Sequence, residues 1–161
     1  VNKLGEGVKA IALPDERWDK VDIKTTNLIP NILAQTKAEK KFAYTAMLFR
    51  DGICTEGATS NVFAVKDGIL YTHPADNHIL KGITRQMIVT RVAPSLGITL
   101  IEKEFDRAFV DDADELFFTD TIGGVIPIIK LDRNPVSGGK PGHVTLRLRE
   151  ALEKLMEEGL P

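Results

Sequence analysis

Lys24 closes the run Val21-Asp22-Ile23-Lys24, immediately ahead of a stretch with helical periodicity. A lysine amine can add to an aldehyde, and burial or a nearby cation lets such an amine act as a base near neutrality. Lysines are also the commonest solvated side chains, so the residue alone does not define a site. Glu56 lies in Thr55-Glu56-Gly57-Ala58-Thr59-Ser60-Asn61, where glutamate before glycine reads by itself as an ordinary surface β-turn. Gly82-Ile83-Thr84-Arg85 reads as a glycine turn into a helix start. Such a start presents unpaired N–H groups and a partial positive charge, which stabilise a phosphate; the same residues also make a plain helix cap. His73, His78 and His143 fall in turn-like contexts without ligand spacing, so they are expected to be exposed and no metal is assigned. Ser137 to Gly142 lacks the spacing of a phosphate-cradling loop and reads as a flexible turn.

The elements that must position these residues are legible from periodicity. Val8 to Leu13 is apolar and β-compatible, closed by the turn signal Pro14-Asp15. Leu28, Ile29, Ile32, Leu33 and Ala38 recur at helical spacing, with Asn27 as the expected cap and Pro30 tolerated in the first turn. Tyr44 to Phe49, Asn61 to Lys66 and Ile69 to Thr72 are β-rich, and Asp67-Gly68 predicts a hairpin between the last two, hence an antiparallel meander. A helix is predicted over Thr84 to Leu96, its last turn distorted by Pro94 and ended by Gly97. Strands follow at Thr99 to Glu104, Leu116 to Thr119 and Val125 to Leu131, then a turn at Arg133-Asn134-Pro135. Asp111 to Glu115 reads as a solvated loop, and Val144 to Met156 as an amphipathic helix. Together these predict one α+β domain, residues 1–161, built on mainly antiparallel sheet with covering helices.

Charged residues at 27% and hydrophobic ones at 43% place the chain among packed globular proteins rather than disordered or fibrous ones. A net charge of −2 and a pI near 6.0 supply no basic field for nucleic acid or an anionic membrane, leaving a small molecule as the expected ligand. The single cysteine, Cys54, excludes an internal disulfide and fits a reducing cytoplasm. No apolar run reaches the roughly 18 residues of a membrane helix. Val1-Asn2-Lys3 does not open a signal peptide, and its lack of methionine suggests processing or a fragment of something longer.

Three segments stand in one order along the chain: Arg17-Trp18 leading to Asp22-Ile23-Lys24, then Thr55 to Asn61, then Leu80-Lys81-Gly82-Ile83-Thr84-Arg85. By these the sequence resembles the fold type IV pyridoxal-phosphate aminotransferases over essentially all 161 residues, the D-amino-acid enzymes in particular. The resemblance implies a pseudobarrel sheet, the large cofactor-binding domain of such an enzyme, with pyridoxal 5'-phosphate as cofactor. It implies Lys24 as the Schiff-base lysine that also moves the substrate's α-proton, and Glu56 as the acid on the pyridine nitrogen. Leu80 is then the apolar residue against the ring, Ile83 and Thr84 contact the phosphate at a helix start, and Thr121 is a second phosphate ligand. Thr59 stands where relatives carry a serine close to the lysine. Arg17 matches an arginine near the cofactor, although a buried ion pair accounts for it as well.

Two positions depart from the pattern. Relatives place Ser or Gly where Asp120 stands, and a carboxylate facing a phosphate dianion would be repelled, so Asp120 is expected to point away or the site is altered. Gly123-Gly124 replaces a Glu-containing pattern of the D-amino-acid enzymes and resembles the R-selective amine transaminases. The implied substrates are an amino acid, D by the closer resemblance, and a 2-oxo acid, exchanged in a homodimer. Branched-chain or R-selective amine transaminases and aminodeoxychorismate lyases share the same lysine and glutamate. Family members carry a smaller N-terminal domain ahead of this region, which supplies an arginine to the phosphate and the substrate-carboxylate contacts. The chain without it is expected to bind cofactor weakly and to turn over slowly or not at all, or to be an inactive module that interacts with another chain.

Overall fold

The computed structural model describes residues 3–159. Val1 and Asn2 of the opening tripeptide therefore lie outside the described residues. The strands are β1 (Val8–Pro14), β2 (Thr45–Arg50), β3 (Ile53–Gly57), β4 (Asn61–Lys66), β5 (Ile69–Thr72), β6 (Leu100–Glu102), β7 (Glu115–Asp120), β8 (Gly124–Leu131) and the short β9 (Asn134–Pro135). They form one curled sheet in the order β3-β2-β1-β8-β7-β4-β5-β6, with β9 on β8.

The sheet is mixed. β1 runs parallel to both β2 and β8, and β5 parallel to β6, while the remaining pairings are antiparallel. Parallel neighbours cannot be joined by a tight turn and need a long crossover, usually helical. The first crossover, between β1 and β2, contains Lys24 and α1 (Ile29–Glu39). The second, between β5 and β6, contains Ile83 and Thr84 at the start of α2 (Ile83–Met87), which continues through a π-helical stretch, Ile88–Val92, into α3 (Ala93–Ser95). Proline at position 94 has no N–H and crowds the carbonyl four residues back. The wider π turn directly before Pro94 accommodates that mismatch, which is the distortion the sequence predicts.

Alternation along β4 sorts its side chains to two cores. Phe63 and Val65 pack with Phe117 under Ile88, Val92, Leu148 and Leu152 of the covering helices, the last two from α5 (His143–Glu157). Val62 and Ala64 face the opposite side with Phe118, Met47, Cys54 and Phe105. Phe63 and Phe117 are register partners and stack with centroids 4.9 Å apart, a pairing worth about 0.5–1.5 kcal/mol beyond simple burial. The predicted hairpin turns on Asp67 and Gly68, both at positive φ (51° and 75°), the conformation a two-residue turn between twisted strands requires.

Several expectations are corrected. α1 begins at Ile29 behind Leu28, and Asn27 does not cap it; its own N–H bonds Thr25 Oγ1 instead. α1 buries Ala34 and Ala38 while Ile29, Ile32 and Leu33 remain exposed, so its apolar periodicity marks a helix but not a covered face. β3 and α4 (Arg107–Asp111) are not evident from the sequence pattern. The expected turn at Arg133-Asn134-Pro135 comes earlier, at Asp132 with φ of 53°, and Asn134–Pro135 pair back onto β8. Within the acidic run, Glu115 is buried: it accepts hydrogen bonds from Val144 N (3.0 Å), Thr145 N (2.8 Å) and Thr145 Oγ1 (2.7 Å), and so anchors the start of α5.

Candidate functional site

The two crossovers and the β3–β4 connection enclose a cavity of about 730 Å³, within the usual range for a small-molecule site. Arg17, Lys24, Glu56 and Thr59 all line it, and so do Leu80, Ile83, Thr84 and Thr121. The inner end is buried and charged, whereas Lys24, Thr59, Ile83 and Thr121 stand exposed on the rim. Lys24 is thus not desolvated by the described residues.

Glu56 lies on β3 with its side chain 5% exposed, in ion contact with Arg17 at 4%. This overturns the reading of Thr-Glu-Gly as a surface turn. One Glu56 oxygen takes Arg17 Nη1; the other accepts Asn61 Nδ2 at 2.8 Å, and the Leu80 N–H reaches both at 3.1–3.2 Å. Burial pushes the Glu56 carboxyl up to about 7, against the charge and hydrogen bond of Arg17 and the Leu80 N–H, with Asp15 adding to the rise. A carboxyl so poised can hold or release a proton near neutrality. Arg17 is therefore both the buried ion-pair partner and a cavity residue.

Behind Arg17 stands Asp15, whose side chain is fully buried. It accepts Arg17 Nε and Nη2, each at 2.8 Å, and Thr55 Oγ1 at 2.8 Å. Burial alone would raise Asp15, but the hydrogen bonds and charge of Arg17, with the Thr55 hydroxyl, outweigh it and hold the carboxyl at about 2. Asn61 uses its second amide hydrogen on Leu80 O at 2.8 Å, joining β4 to the segment ahead of α2. Sequence reasoning singles out neither Asp15 nor Asn61 as a site residue, although Asn61 closes the Thr55–Asn61 segment and Asp15 lies two residues before Arg17.

Opposite the carboxylate end, α2 follows Gly82 at its N-cap, with no side-chain cap. A Cβ at Gly82 would meet Asn61 Oδ1 at 2.4 Å, so only glycine lets the helix start approach this closely. The Thr84 hydroxyl donates to Asp120 O at 2.9 Å. The Asp120 carboxylate accepts Ile122 N at 2.9 Å, Gly123 N and Tyr44 Oη at 3.1 Å, and Asp120 also lines the cavity. Burial, then the charge and hydrogen bond of Asp120, pushes the Tyr44 phenol up to about 12.

The histidines differ from expectation. His73 is buried, His78 half-buried and only His143 exposed. His73, Asp76 and His78 bring ligand-type atoms within 4.8 Å of one another. His73 Nδ1 is engaged with Pro74 O at 2.9 Å and Asp76 Oδ1 accepts His78 N at 2.8 Å, which makes the cluster a hydrogen-bonded staple of the loop leading to Leu80.

Two observations bear on whether the cavity suits pyridoxal phosphate. Ser60 and Thr119 line it, and their buried hydroxyls have no hydrogen-bond partner among the described residues. An uncapped helix start and a carboxyl poised near neutrality also line it, matching a phosphate and a basic ring nitrogen. The residues fit the group.

Comparison with known proteins agrees. The "D-alanine aminotransferase" of Staphylococcus aureus strain COL is 42% identical over 154 residues, covering 96% of this chain and 54% of that protein. The protein of the same name from Bacillus licheniformis is 40% identical over 147 residues, covering 91% and 52%. The chain thus spans about half the length of these relatives. Among solved structures, a branched-chain aminotransferase from Thermoproteus uzoniensis with norvaline superposes with a TM-score of 0.87 at 31% identity, covering 94% of this chain and 52% of that one. A T.th. branched-chain amino acid aminotransferase complexed with N-(5'-phosphopyridoxyl)-L-glutamate gives 0.87 at 29% identity, covering 98% and 54%. Residues 5–131 match the family Amino-transferase class IV, more than half of the chain, and the chain belongs to that family.

Proposed function

We propose that this chain is the cofactor-binding domain of a pyridoxal-phosphate aminotransferase that moves an amino group between an amino acid and a 2-oxo acid. The observation that carries the reading is the convergence of Lys24, the Arg17–Glu56 pair and the Gly82–Thr84 helix start on one cavity. Glu56 would face the pyridine nitrogen, Leu80 the ring, and the first-turn N–H groups of α2 with the Thr84 and Thr121 hydroxyls the phosphate. Bound there, the cofactor supplies an aldehyde that takes up amino groups and a ring that withdraws the electrons left on a deprotonated α-carbon. Lys24 Nζ, exposed on the rim, would hold the aldehyde carbon until a substrate amine replaces it there, and the freed Lys24 amine would carry the proton to and from the substrate. Glu56 would hold the proton at the ring nitrogen, and Arg17 would keep Glu56 in place. Thr59 would add a hydroxyl beside Lys24.

A D-amino acid is the preferred substrate in this reading, supported by the names of relatives at 40–42% identity. A homodimer is supported by the exposed Ile29, Ile32 and Leu33, an apolar face of the kind that associating chains cover. The branched-chain reading is favoured by the solved structures that superpose, at 29–31% identity. Single-turnover assays on the full-length protein with both enantiomers of alanine, glutamate and leucine separate the two. Faster reaction of D-alanine or D-glutamate than of L-leucine is expected, and the reverse order would reject D-specificity.

A further inference from the structure

We propose that Asp15 is a positioning residue for the cavity carboxylate: by occupying the Nε–Nη2 edge of Arg17 it leaves Glu56 a single guanidinium contact, and so keeps Glu56 able to take up a proton. The inference rests on the reading of Glu56 as the partner of the cofactor's ring nitrogen.

Arg17 offers a planar fork whose strongest mode is a bidentate pair with a carboxylate. Asp15 takes that mode, accepting Nε and Nη2 at 2.8 Å each. Glu56, the residue in the cavity, takes only Nη1. The geometry of Asp15 is fixed from several sides. Its backbone N–H bonds Phe49 O at 2.7 Å just beyond the end of β1, and its Oδ1 also accepts the Arg17 backbone N–H at 3.1 Å, a turn closed across two residues. Thr55 Oγ1 donates to it at 2.8 Å, and Arg50 Nη2 lies 3.5 Å away.

Charges are thereby distributed unequally. Asp15 sits between two guanidinium groups, Arg17 and Arg50, although Arg50 is also in contact with the exposed Asp19. Among the described residues Arg17 is the one guanidinium in contact with Glu56. The other groups facing Glu56 are neutral donors, Asn61 on β4 and the Leu80 N–H ahead of α2; Lys24 lies on the rim of the same cavity. Cys54, its neighbour on β3, is a fully buried thiol held up by burial first and then by the charges of Glu56 and Asp15, and so stays neutral. Were Arg17 to pair bidentately with Glu56 instead, the carboxylate would be locked in its ionised form. The ring nitrogen would then face an anion with less affinity for its proton.

The test is a pH titration of side-chain carboxyl carbons by NMR on full-length, cofactor-free protein labelled at Asp and Glu. The signal lost in Glu56→Gln identifies Glu56. Asp15→Asn, which keeps the size and the acceptor oxygen but removes the charge, is expected to lower the Glu56 midpoint by about one pH unit or more. Asp15→Glu is expected to return it towards the wild-type value. An unchanged or raised midpoint in folded Asp15→Asn overturns the proposal. If Asp15→Asn does not fold, the wild-type titration decides, with the Asp15 signal identified by its loss in Asp15→Glu. Asp15 ionised throughout while Glu56 titrates supports the proposal, and Asp15 taking up its proton at or above the Glu56 midpoint overturns it. Reductive trapping of pyridoxal phosphate at Lys24 is measured separately. Its failure would sink the functional reading and leave the midpoint shift standing, while an unmoved midpoint would sink this inference and leave trapping untouched.

Discussion

Replacing Asn61 with alanine removes a side chain that ties the carboxylate end of the cavity to the helix-start end, beside the direct contact of Glu56 with the Leu80 N–H. Asn61 is 5% exposed, and both of its amide hydrogens are used at 2.8 Å, one on Glu56 Oε2 and one on Leu80 O. A hydrogen bond to an ionised group is worth about 1.5–3 kcal/mol and a neutral one about 1, so the loss is expected to total roughly 2–4 kcal/mol. The Leu80 carbonyl borders the cavity and can regain water, which favours the lower half of that range. The cost should also depend on pH: at pH 8 Glu56 is an anion left without one of its donors, whereas at pH 5.5 it is largely protonated and loses less. Urea unfolding of wild type and Asn61→Ala at the two pH values measures this directly. A loss at pH 8 below about 1 kcal/mol, with an unchanged slope, would refute the assignment of Asn61 as a tie between Glu56 and Leu80.

The raised Glu56 carboxyl makes stability depend on pH with a definite sign. A carboxyl raised from 4.5 to about 7 favours the folded state fully below about pH 4.5, and that advantage is lost as pH rises through about 7. This contribution, of order 3 kcal/mol, should vanish from the difference curve in Glu56→Gln, as thermal unfolding across pH 4.5–8 would show. Asp15, depressed to about 2, contributes the opposite way: its stabilisation is present above about pH 3.8 and lost as pH falls towards 2. Glu115→Ala leaves two first-turn N–H groups of α5 and the Thr145 hydroxyl without their acceptor, and should cost about 2 kcal/mol in denaturant unfolding.

Local signals that need only neighbouring residues are readable in the chain itself. Asp67-Gly68 specifies its hairpin, and Pro94 distorts the helix that Gly97 ends, because backbone sterics decide both. Lys24 and Gly82–Thr84 stand out only through the segments around them, whose order and spacing carry the resemblance, since either alone reads as a solvated lysine or a plain helix cap. β3 is hidden as a strand. Cys54, Thr55, Glu56 and Gly57 resemble a surface turn, and they are buried only because Arg17, Asn61 and Leu80 arrive from other elements to satisfy them. The same holds for Asp15 and for Glu115 under α5, whose partners lie on the far side of a turn or further off in sequence. The parallel pairing of β1 with β2 and of β5 with β6 is likewise a property of the crossovers, which strand periodicity does not report. Periodicity marks α1 as a helix, yet which of its faces is covered depends on what packs there, and Ile29, Ile32 and Leu33 face outward.

Whether Lys24 holds the cofactor is tested most directly by one measurement. The full-length protein is incubated with pyridoxal phosphate, reduced with borohydride, digested and mapped by mass spectrometry. A pyridoxyl group is expected on the peptide carrying Lys24, and its loss, together with the visible absorbance of the bound cofactor, in Lys24→Ala. A pyridoxyl group on another lysine, or equal labelling of the Lys24→Ala protein, would contradict the assignment.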